Sequence, residues 1–200
     1  MHRIEFFFDC SSPWTYLAFE QALSLFPPTV AELVWKPILV GGVFNTVNPS
    51  VYAAREQPVP AKAAYARKDL QDWAAYQGLT IGQPPVFPVN SVKAMRGAFV
   101  ALEHGCLVPY ARAVFQLYWS ALADISRDDV LAEAVATAGL DRTDFFTRIA
   151  QTGYKDHLRQ TTDELIARGG FGSPTLFLDG SDMYFGNDRL VLLQHRLTRA

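Results

Sequence analysis

The sequence predicts an α/β fold in which two strand-bearing ends form one domain and a helical segment interrupts it. Strand-like hydrophobic runs lie near the two ends of the 200-residue chain, and strong helix formers dominate between them. Half of the residues are hydrophobic and 19% are charged, which suits a substantial core. We expect residues 1–45 plus 169–200 to form the α/β domain and residues 46–168 to form an all-helical insertion, because neither end has enough strands to stand alone.

The amino-terminal end has the pattern of a β-α-β unit. Residues 3–8, RIEFFF, are predicted to form a buried strand. Residues 13–25 are predicted to form a helix, because Pro13 is favoured in a first turn and apolar side chains follow at helical spacing. Residues 32–39, ELVWKPIL, supply a second strand, which a right-handed crossover would place parallel to the first.

The middle of the chain is predicted to be helical. Its helices are interrupted by glycines, which stop helices, and it contains neither a repeat nor a low-complexity segment. The predicted helices span residues 61–77, 91–104, 108–122, 127–138, 141–152 and 154–168, with breaks at Gly78, Gly105, Gly139 and Gly153.

The carboxy-terminal end has the pattern of a β-β-α unit. GGFGSPTLFLDG ends in an Asp-Gly turn signal, and SDMYF is predicted to be the returning strand. NDRLVLLQHRL is predicted to be the last helix, capped by Asn187 or Asp188.

A β-α-β unit, a helical block and a β-β-α unit together are the layout of a thioredoxin-like fold with an inserted domain. The active group of that fold lies where the first strand meets the first helix, which here is Ser12-Pro13-Trp14-Thr15. The two cysteines, Cys10 and Cys106, form no C-x-x-C motif, so disulfide exchange is not favoured.

Ser12 has two interpretations, as a helix cap alone or as a catalytic group. No G-x-S-x-G motif and no Ser-His-Asp arrangement is visible, so a serine nucleophile is not supported. A hydroxyl beside free helix N–H groups can instead stabilise a thiolate that a ligand brings. This position therefore suggests glutathione as a cofactor.

The segment FGSPT supports that interpretation. A proline that follows a small residue and precedes a strand fits the cis-proline loop that faces the active helix in thioredoxin-like folds. There the residue before the proline, here Ser173, pairs its backbone with an extended peptide. The alternative is that Pro174 simply begins an edge strand.

Composition excludes several classes of function. The net charge is −2 at pH 7 and the basic residues are scattered, so we expect no nucleic-acid partner. No apolar run approaches the ~20 residues that span a bilayer, so we expect no membrane association. The four histidines show no ligand spacing, so we expect no metal. The first ten residues resemble a strand rather than a signal peptide, which favours a cytoplasmic location.

Five motifs, in this order, resemble the 2-hydroxychromene-2-carboxylate isomerase family, which is related to kappa-class glutathione S-transferases and to DsbA-type oxidoreductases. They are FFFDCSSPWTYLA, AKAAYARKDLQDWA, FPVNSVKAMR, FGSPTLFLDG and MYFGNDRL. The resemblance covers nearly the whole chain. It implies glutathione-dependent cis–trans isomerisation of 2-hydroxychromene-2-carboxylate to trans-o-hydroxybenzylidenepyruvate, a step in aromatic hydrocarbon catabolism. A kappa-like transferase or peroxidase, an isomerase of another conjugated enone and a non-enzymatic binding module remain alternatives.

The resemblance also implies roles for particular residues. Ser12 matches the serine at the glutathione sulfur, and Cys10, where the family has a bulky apolar residue, is interpreted as a small buried hydrophobe. A homodimer is typical of the relatives. The residues that match the glutathione site are Asn48, Lys62, Ser173, Pro174, Asn187 and Asp188.

Further residues are candidates for contact with a small aromatic enone or hemiketal acid. Trp14, Trp35 and Phe44 could wall an aromatic pocket, although aromatic residues at such spacing also suit the core. Asn90 and Arg96 could hold the carboxylate or the ketone of that substrate, and Arg96 could equally form a structural pair.

Overall fold

A computed structural model describes residues 1–198 and follows the predicted order of elements. The strands are β1 (His2–Phe8), β2 (Ala31–Pro37), β3 (Thr175–Leu178) and β4 (Asp182–Phe185). The helices are α1 (Pro13–Leu25), α2 (Val40–Val47), α3 (Ser50–Glu56), α4 (Pro60–Gln77), α5 (Val92–Glu103), α6 (Leu107–Phe115), α7 (Asp128–Thr137), α8 (Arg142–Ala150), α9 (Thr152–Ala167) and α10 (Leu190–Leu197). A π-helical turn at Gln116–Ser120 extends α6, and a 3-10 turn at Asn187–Arg189 precedes α10.

The four strands form one mixed sheet in the order β2-β1-β3-β4. β1 pairs in parallel with β2 and antiparallel with β3, and β3 and β4 form an antiparallel hairpin. Gly180, at φ 84°, lies in the connecting turn, where a left-handed conformation favours glycine. The β-α-β and β-β-α ends therefore meet in one sheet, as predicted.

Side chains alternate along β1, so its apolar side chains lie on both faces of the sheet. Helices cover both of these faces. Phe6 and Phe8 point into the main core, which α1 and most of the insertion helices also enter. Phe7 points to the opposite face and packs in a smaller cluster with Leu165 of α9 and Phe177 of β3. A strand that is buried on both faces accounts for the continuous hydrophobic run RIEFFF.

The insertion shares the main core with the α/β ends. Phe115 of α6 stacks on Tyr16 of α1, with ring centroids 5.0 Å apart, and lies 5.3 Å from the ring of Phe19. Arg112 of α6 binds Glu20 of α1 through two hydrogen bonds of 2.8 Å. These contacts fix α1 between the sheet and the insertion, and the division into two domains stays a prediction.

The region after β2 differs from the prediction. The predicted second strand, 32–39, ends at Pro37, and α2 and α3 were not predicted. Two consecutive glycines, Gly41 and Gly42, give α2 a low intrinsic helix propensity. Burial of Val40 and Val43 stabilises α2 instead, and that tertiary term is not visible in local sequence.

Two predictions about helix ends are wrong. Gly153 does not separate α8 from α9, because α9 begins at Thr152 and includes it. Asn187 and Asp188 do not cap the last helix by their side chains, because both lie within the 3-10 turn, whose first flanking residue is Gly186. None of the helices described for residues 1–198 has the length and apolar character that crossing a membrane requires.

We expect Phe115→Ala to lower the free energy of unfolding by about 3–5 kcal/mol, because it leaves a cavity between α1 and α6. Phe115 is fully buried, whereas Tyr76, which is 79% exposed, offers an aromatic control. Urea denaturation followed by circular dichroism measures both variants. Equal losses for Phe115→Ala and Tyr76→Ala would contradict the proposed packing.

Candidate active site

The loop between β1 and α1 is organised by the buried carboxylate of Asp9. Its Oδ1 accepts a hydrogen bond of 2.9 Å from the Ser11 N–H. Its Oδ2 accepts one of 2.9 Å from the Val40 N–H and one of 3.1 Å from the Ser91 hydroxyl. Asp9 thus joins the start of α1, the start of α2 and the loop before α5. Burial raises the pKa of Asp9 above its ordinary value of 3.8, and the hydrogen bonds from Ser11, Val40 and Ser91 oppose that shift.

Ser12 is the N-cap of α1, as predicted. Its backbone is extended, and its Oγ accepts a hydrogen bond of 3.2 Å from the Thr15 N–H. The same hydroxyl donates a hydrogen bond of 3.2 Å to the carbonyl of Ser173. Ser12 therefore links the helix terminus to the loop before β3 while remaining half-buried.

The Ser173-Pro174 loop faces the start of α1, and its peptide bond is cis, as the sequence predicts. The Ser173 Oγ accepts a hydrogen bond of 3.0 Å from the Asp9 N–H and lies 2.8 Å from the Thr15 Oγ1. Within residues 1–198 no hydrogen bond involves the Ser173 N–H. An extended ligand could therefore use this backbone N–H without displacing a protein partner.

A cavity of about 670 Å³ opens beside Ser12 and Ser173. The start of α1, the helices α2 and α3, the loop at 87–91 and the loop before β3 surround it. Six residues predicted for the site line this cavity, which we call the serine cavity: Ser12, Trp14, Phe44, Asn48, Asn90 and Ser173.

Asn48 ends α2 and holds its position by two hydrogen bonds. Its Nδ2 donates a hydrogen bond of 3.2 Å to the Phe171 carbonyl, and its Oδ1 accepts one of 2.8 Å from the Ser50 hydroxyl. It therefore connects the end of α2 to the loop before Ser173, and both line the serine cavity.

A second cavity of about 580 Å³ adjoins the serine cavity, and we call it the aromatic cavity. Both cavities include Pro13, Trp14, Arg55 and Phe87 in their linings. Trp119 also lines the aromatic cavity, and its indole N–H donates a hydrogen bond of 2.9 Å to the Cys10 carbonyl. The remaining walls come from α4 and the segment 82–84.

Two predicted substrate residues line neither cavity. Trp35 is half-buried and packs against the core, with its ring 5.2 Å from that of Phe6 and 5.1 Å from that of Phe19. Its role as a wall of a ligand pocket stays a prediction. Arg96 lines a separate cleft beside α9, and burial lowers the pKa of its guanidinium. Its Nη1 lies 3.5 Å from the carbonyl of Ile149, and its buried Nε has no hydrogen-bond partner within the described residues. Arg96 is not in the lining of the serine cavity, although its cleft adjoins that cavity and shares Leu39, Gly42 and Val92 with it.

Four residues matched to the glutathione site do not line the serine cavity. Lys62 is exposed in the first turn of α4, beside Ala63 of the aromatic cavity. Pro174 follows Ser173 in the loop before β3, and its carbonyl accepts a hydrogen bond of 3.2 Å from the Gly186 N–H. Asn187 is buried, and its Nδ2 has no hydrogen-bond partner within the described residues. Asp188 pairs with Arg189 at 2.6 Å.

Neither cysteine has the environment of a reactive thiol. Burial raises the pKa of the Cys10 thiol well above its usual value, and the nearby charge of Asp9 raises it further. Burial also raises the pKa of Cys106, which lies before α6. Cys10 is a small buried residue, as its sequence context suggests. Within residues 1–198 no group of three or more His, Cys, Asp or Glu side chains is placed to hold a metal ion.

Sequence reasoning missed Asp9, Ser91 and Arg55 as residues of the site. An acidic residue at the end of an apolar strand is a usable signal for Asp9, because a charge there must find partners. Ser91 and Arg55 carry no local signal, because their positions depend on how distant segments pack.

We expect Asp9→Asn to lower the free energy of unfolding by about 1–3 kcal/mol at pH 7, because an amide cannot replace all three accepted hydrogen bonds. The folded-state pKa of Asp9 lies above 3.8, so the folded protein binds this proton more tightly than the unfolded chain. The stability of wild type relative to Asp9→Asn should therefore rise as the pH falls through the folded-state pKa towards 3.8.

Urea denaturation of both proteins at several pH values measures this difference. The contradicting result is a difference in the free energy of unfolding between wild type and Asp9→Asn that shrinks on acidification. It would mean that the folded-state pKa of Asp9 is lowered, contrary to the burial of this carboxylate.

The chain is similar to several known proteins over nearly its whole length. The family model described as a DSBA-like thioredoxin domain matches residues 3–198. A 2-hydroxychromene-2-carboxylate isomerase of Pseudomonas putida is 28% identical over 201 residues, which cover 98% of this chain and 94% of that protein. Glutathione S-transferase kappa 1 of Homo sapiens is 28% identical over 209 residues, which cover 97% of this chain and 90% of that protein.

A solved structure of 2-hydroxychromene-2-carboxylate isomerase superposes with a TM-score of 0.83 at 25% identity. The superposition covers 98% of this chain and 95% of that one. The thioredoxin-like fold with a helical insertion is thereby confirmed. The relatives are enzymes, named as isomerases or as glutathione transferases, which supports an enzyme function of that kind for this chain.

Proposed function

We propose that this chain, which belongs to the family of DSBA-like thioredoxin domains, is a glutathione-dependent cis–trans isomerase of an aromatic, conjugated enone acid. We propose 2-hydroxychromene-2-carboxylate as the substrate and trans-o-hydroxybenzylidenepyruvate as the product, with a place in aromatic catabolism. The observation that carries this proposal is the position of Ser12 at the helix terminus, opposite the Ser173 loop. Ser12 lines the serine cavity and directly precedes Pro13 and Trp14, which line both cavities.

The residues of the serine cavity fit glutathione in three respects. A volume of about 670 Å³ suits a tripeptide, and the Ser173 N–H has no partner within the described residues. Asn48 offers an amide beside the same cavity.

Lys62, Asn187 and Asp188 are proposed cofactor contacts on resemblance alone. Lys62 is exposed and unpaired within residues 1–198, so its side chain could extend towards a ligand carboxylate. The Nδ2 of Asn187 has a donor to spare. Asp188 would have to exchange its contact with Arg189 for a ligand amine.

Ser12 stabilises a thiolate through its hydroxyl proton. That proton points to the Ser173 carbonyl in this structure, and a thiolate beside α1 would accept it instead. The partial positive charge at the start of α1 acts in the same direction. 2-Hydroxychromene-2-carboxylate is a cyclic hemiketal, and ring opening, which returns a ketone and a phenol, gives the conjugated enone. When bound, glutathione would supply a thiolate for reversible addition to that enone, so that the former double bond could rotate before the thiolate was expelled.

The other residues of the site bind and orient. Trp14, Phe87 and Trp119 supply aromatic surface beside Ser12, which would hold a flat substrate close to the thiolate. Asp9 keeps the three surrounding segments in register through its hydrogen bonds. No residue has to gain or lose a proton permanently, since the reaction returns the thiolate unchanged.

The alternative function is that of a kappa-like glutathione transferase or peroxidase. The 28% identity to the human kappa 1 transferase supports this alternative. Such an enzyme would share the serine cavity and differ in what the aromatic cavity accepts. An isomerase acting on another conjugated enone is a second alternative. The cytoplasmic location and the homodimer expected from the sequence stay proposals.

We expect the protein to accelerate equilibration of 2-hydroxychromene-2-carboxylate with its trans open-chain isomer only when glutathione is present. Ser12→Ala should reduce kcat/KM by about 10- to 100-fold, because one hydrogen bond to a charged group is worth about 1.5–3 kcal/mol. Absorbance of the conjugated product follows the reaction.

Asp141→Ala is the matched control, because Asp141 caps α8 in the same way by accepting a hydrogen bond of 2.7 Å from the Asp144 N–H. Both variants should lose about 1 kcal/mol of stability, and only Ser12→Ala should lose activity. If the protein binds glutathione but does not isomerise the substrate, the result favours a transferase. If it does not bind glutathione, the proposed cofactor is wrong.

A further inference from the structure

Arg55 occupies the boundary between the serine cavity and the aromatic cavity. It lies in the last turn of α3 and lines both cavities together with Pro13, Trp14 and Phe87. Pro13 and Trp14 directly follow Ser12, so a ligand at this boundary is next to the position proposed for the thiolate. The sequence-based candidate for holding a substrate carboxylate, Arg96, lies in a different cleft.

Two aromatic rings position the Arg55 guanidinium. Its Cζ lies 5.6 Å from the ring centroid of Phe44 and 5.2 Å from that of Phe87. These cation–π contacts restrict the side chain without using its N–H donors. In the part of the chain that the structure describes, Arg55 makes no hydrogen bond and has no carboxylate oxygen within 4.0 Å. Arg55 is an exposed residue, so its donors are accessible to a ligand. A guanidinium beside two aromatic rings and with unused donors is suited to bind an oxyanion in a bidentate manner.

The charge around the two cavities has one sign. Arg55 and Arg67 are the charged residues that the described chain contributes to the two linings, with no aspartate or glutamate among them. The amino terminus of α1 adds partial positive charge on the same side. The combination favours an anionic ligand in the aromatic cavity as well as in the serine cavity.

The aromatic cavity is built for a flat apolar group. Trp14, Phe87 and Trp119 present ring surfaces to it, and Leu70 of α4 closes it with an aliphatic side chain. Small alanines of α4, Ala63 and Ala66, leave room between these groups, and the charged and amide side chains of the lining are those of Arg55, Arg67, Gln71 and Gln83.

We propose that Arg55 binds the carboxylate of an aromatic enone acid whose ring lies in the aromatic cavity. This arrangement places the conjugated chain, which joins ring and carboxylate, beside Ser12. Arg55 is then the residue that makes the site specific for α-keto acids over neutral enones. The inference rests on the proposed function and replaces the role first expected of Arg96.

The test compares two ligands that differ in the carboxylate, trans-benzylidenepyruvate and trans-benzylideneacetone, in the absence of glutathione. Quenching of tryptophan fluorescence reports binding, because Trp14 and Trp119 line the cavity. We expect wild type to bind the acid at least about tenfold more tightly than the ketone, since a charge-assisted hydrogen-bonded pair is worth about 1.5–3 kcal/mol.

Arg55→Gln should abolish that preference. It should weaken binding of the acid about 10- to 100-fold and change the affinity for the ketone less than about twofold. Arg55→Lys should restore part of the preference, because it keeps the charge and loses the planar fork. The control is Arg142→Gln, since Arg142 begins α8 and lines neither cavity. It should bind both ligands as wild type does.

Three results would overturn the inference. In the first, wild type binds the acid and the ketone with equal affinity. In the second, Arg55→Gln weakens binding of both ligands by the same factor. In the third, the preference for the acid survives in Arg55→Gln but disappears in Arg67→Gln. Calorimetric titration with glutathione separates this inference from the proposed function. If the protein prefers the acid through Arg55 but does not bind glutathione, the role of Arg55 is supported and the cofactor assignment is refuted. If the protein binds glutathione but shows no preference for the acid, the cofactor assignment is supported and the role of Arg55 is refuted.

Discussion

The buried carboxylate of Asp9 is the constraint on which the site depends. It ends β1 and holds the Ser11 N–H, the Val40 N–H and the Ser91 hydroxyl at hydrogen-bond distance. Three segments that are distant in sequence are thereby fixed around the start of α1. The backbone N–H of Asp9 also donates to Ser173, so the cis-proline loop joins the same network. Without these bonds the buried charge would be costly, which makes the loop arrangement specific.

The proposed function follows from the hydrogen-bond donors that surround the cavities beside this network. Ser12 is held at the helix terminus, the Ser173 N–H is free within the described residues, and Arg55 has no anionic partner there. Each of these groups can donate a hydrogen bond to a ligand: Ser12 to a thiolate, the Ser173 N–H to a peptide carbonyl and Arg55 to a carboxylate. A site of this kind needs no redox-active cysteine, and the raised pKa of Cys10 agrees with that.

The parts of the structure that depend on local sequence could be predicted. The strand at RIEFFF, the cap at Ser12 and the cis bond at Ser173 each follow from a short motif. The parts that depend on packing could not. Trp35 and Phe44 are both aromatic residues of the region after α1, yet Trp35, within β2, packs against the core and Phe44, within α2, lines the serine cavity.

Arg55 and Arg96 show the same limit for charged residues. Arg96 lies within a family-like motif, but α5 directs it to a cleft beside α9. Arg55 lies in a segment without helical periodicity, and α3 carries it to the junction of two cavities. Only the long-range arrangement of α2, α3 and the loop at 87–91 distinguishes them.

The most direct test of the account is the pKa of the glutathione thiol when it is bound to the protein. Thiolate absorbance near 240 nm, recorded against pH with saturating protein, gives this value. The account predicts a bound pKa about one to two units below the free value of about 8.5, and a return towards the free value in Ser12→Ala. A bound thiol that titrates like free glutathione in wild type would contradict the role of Ser12.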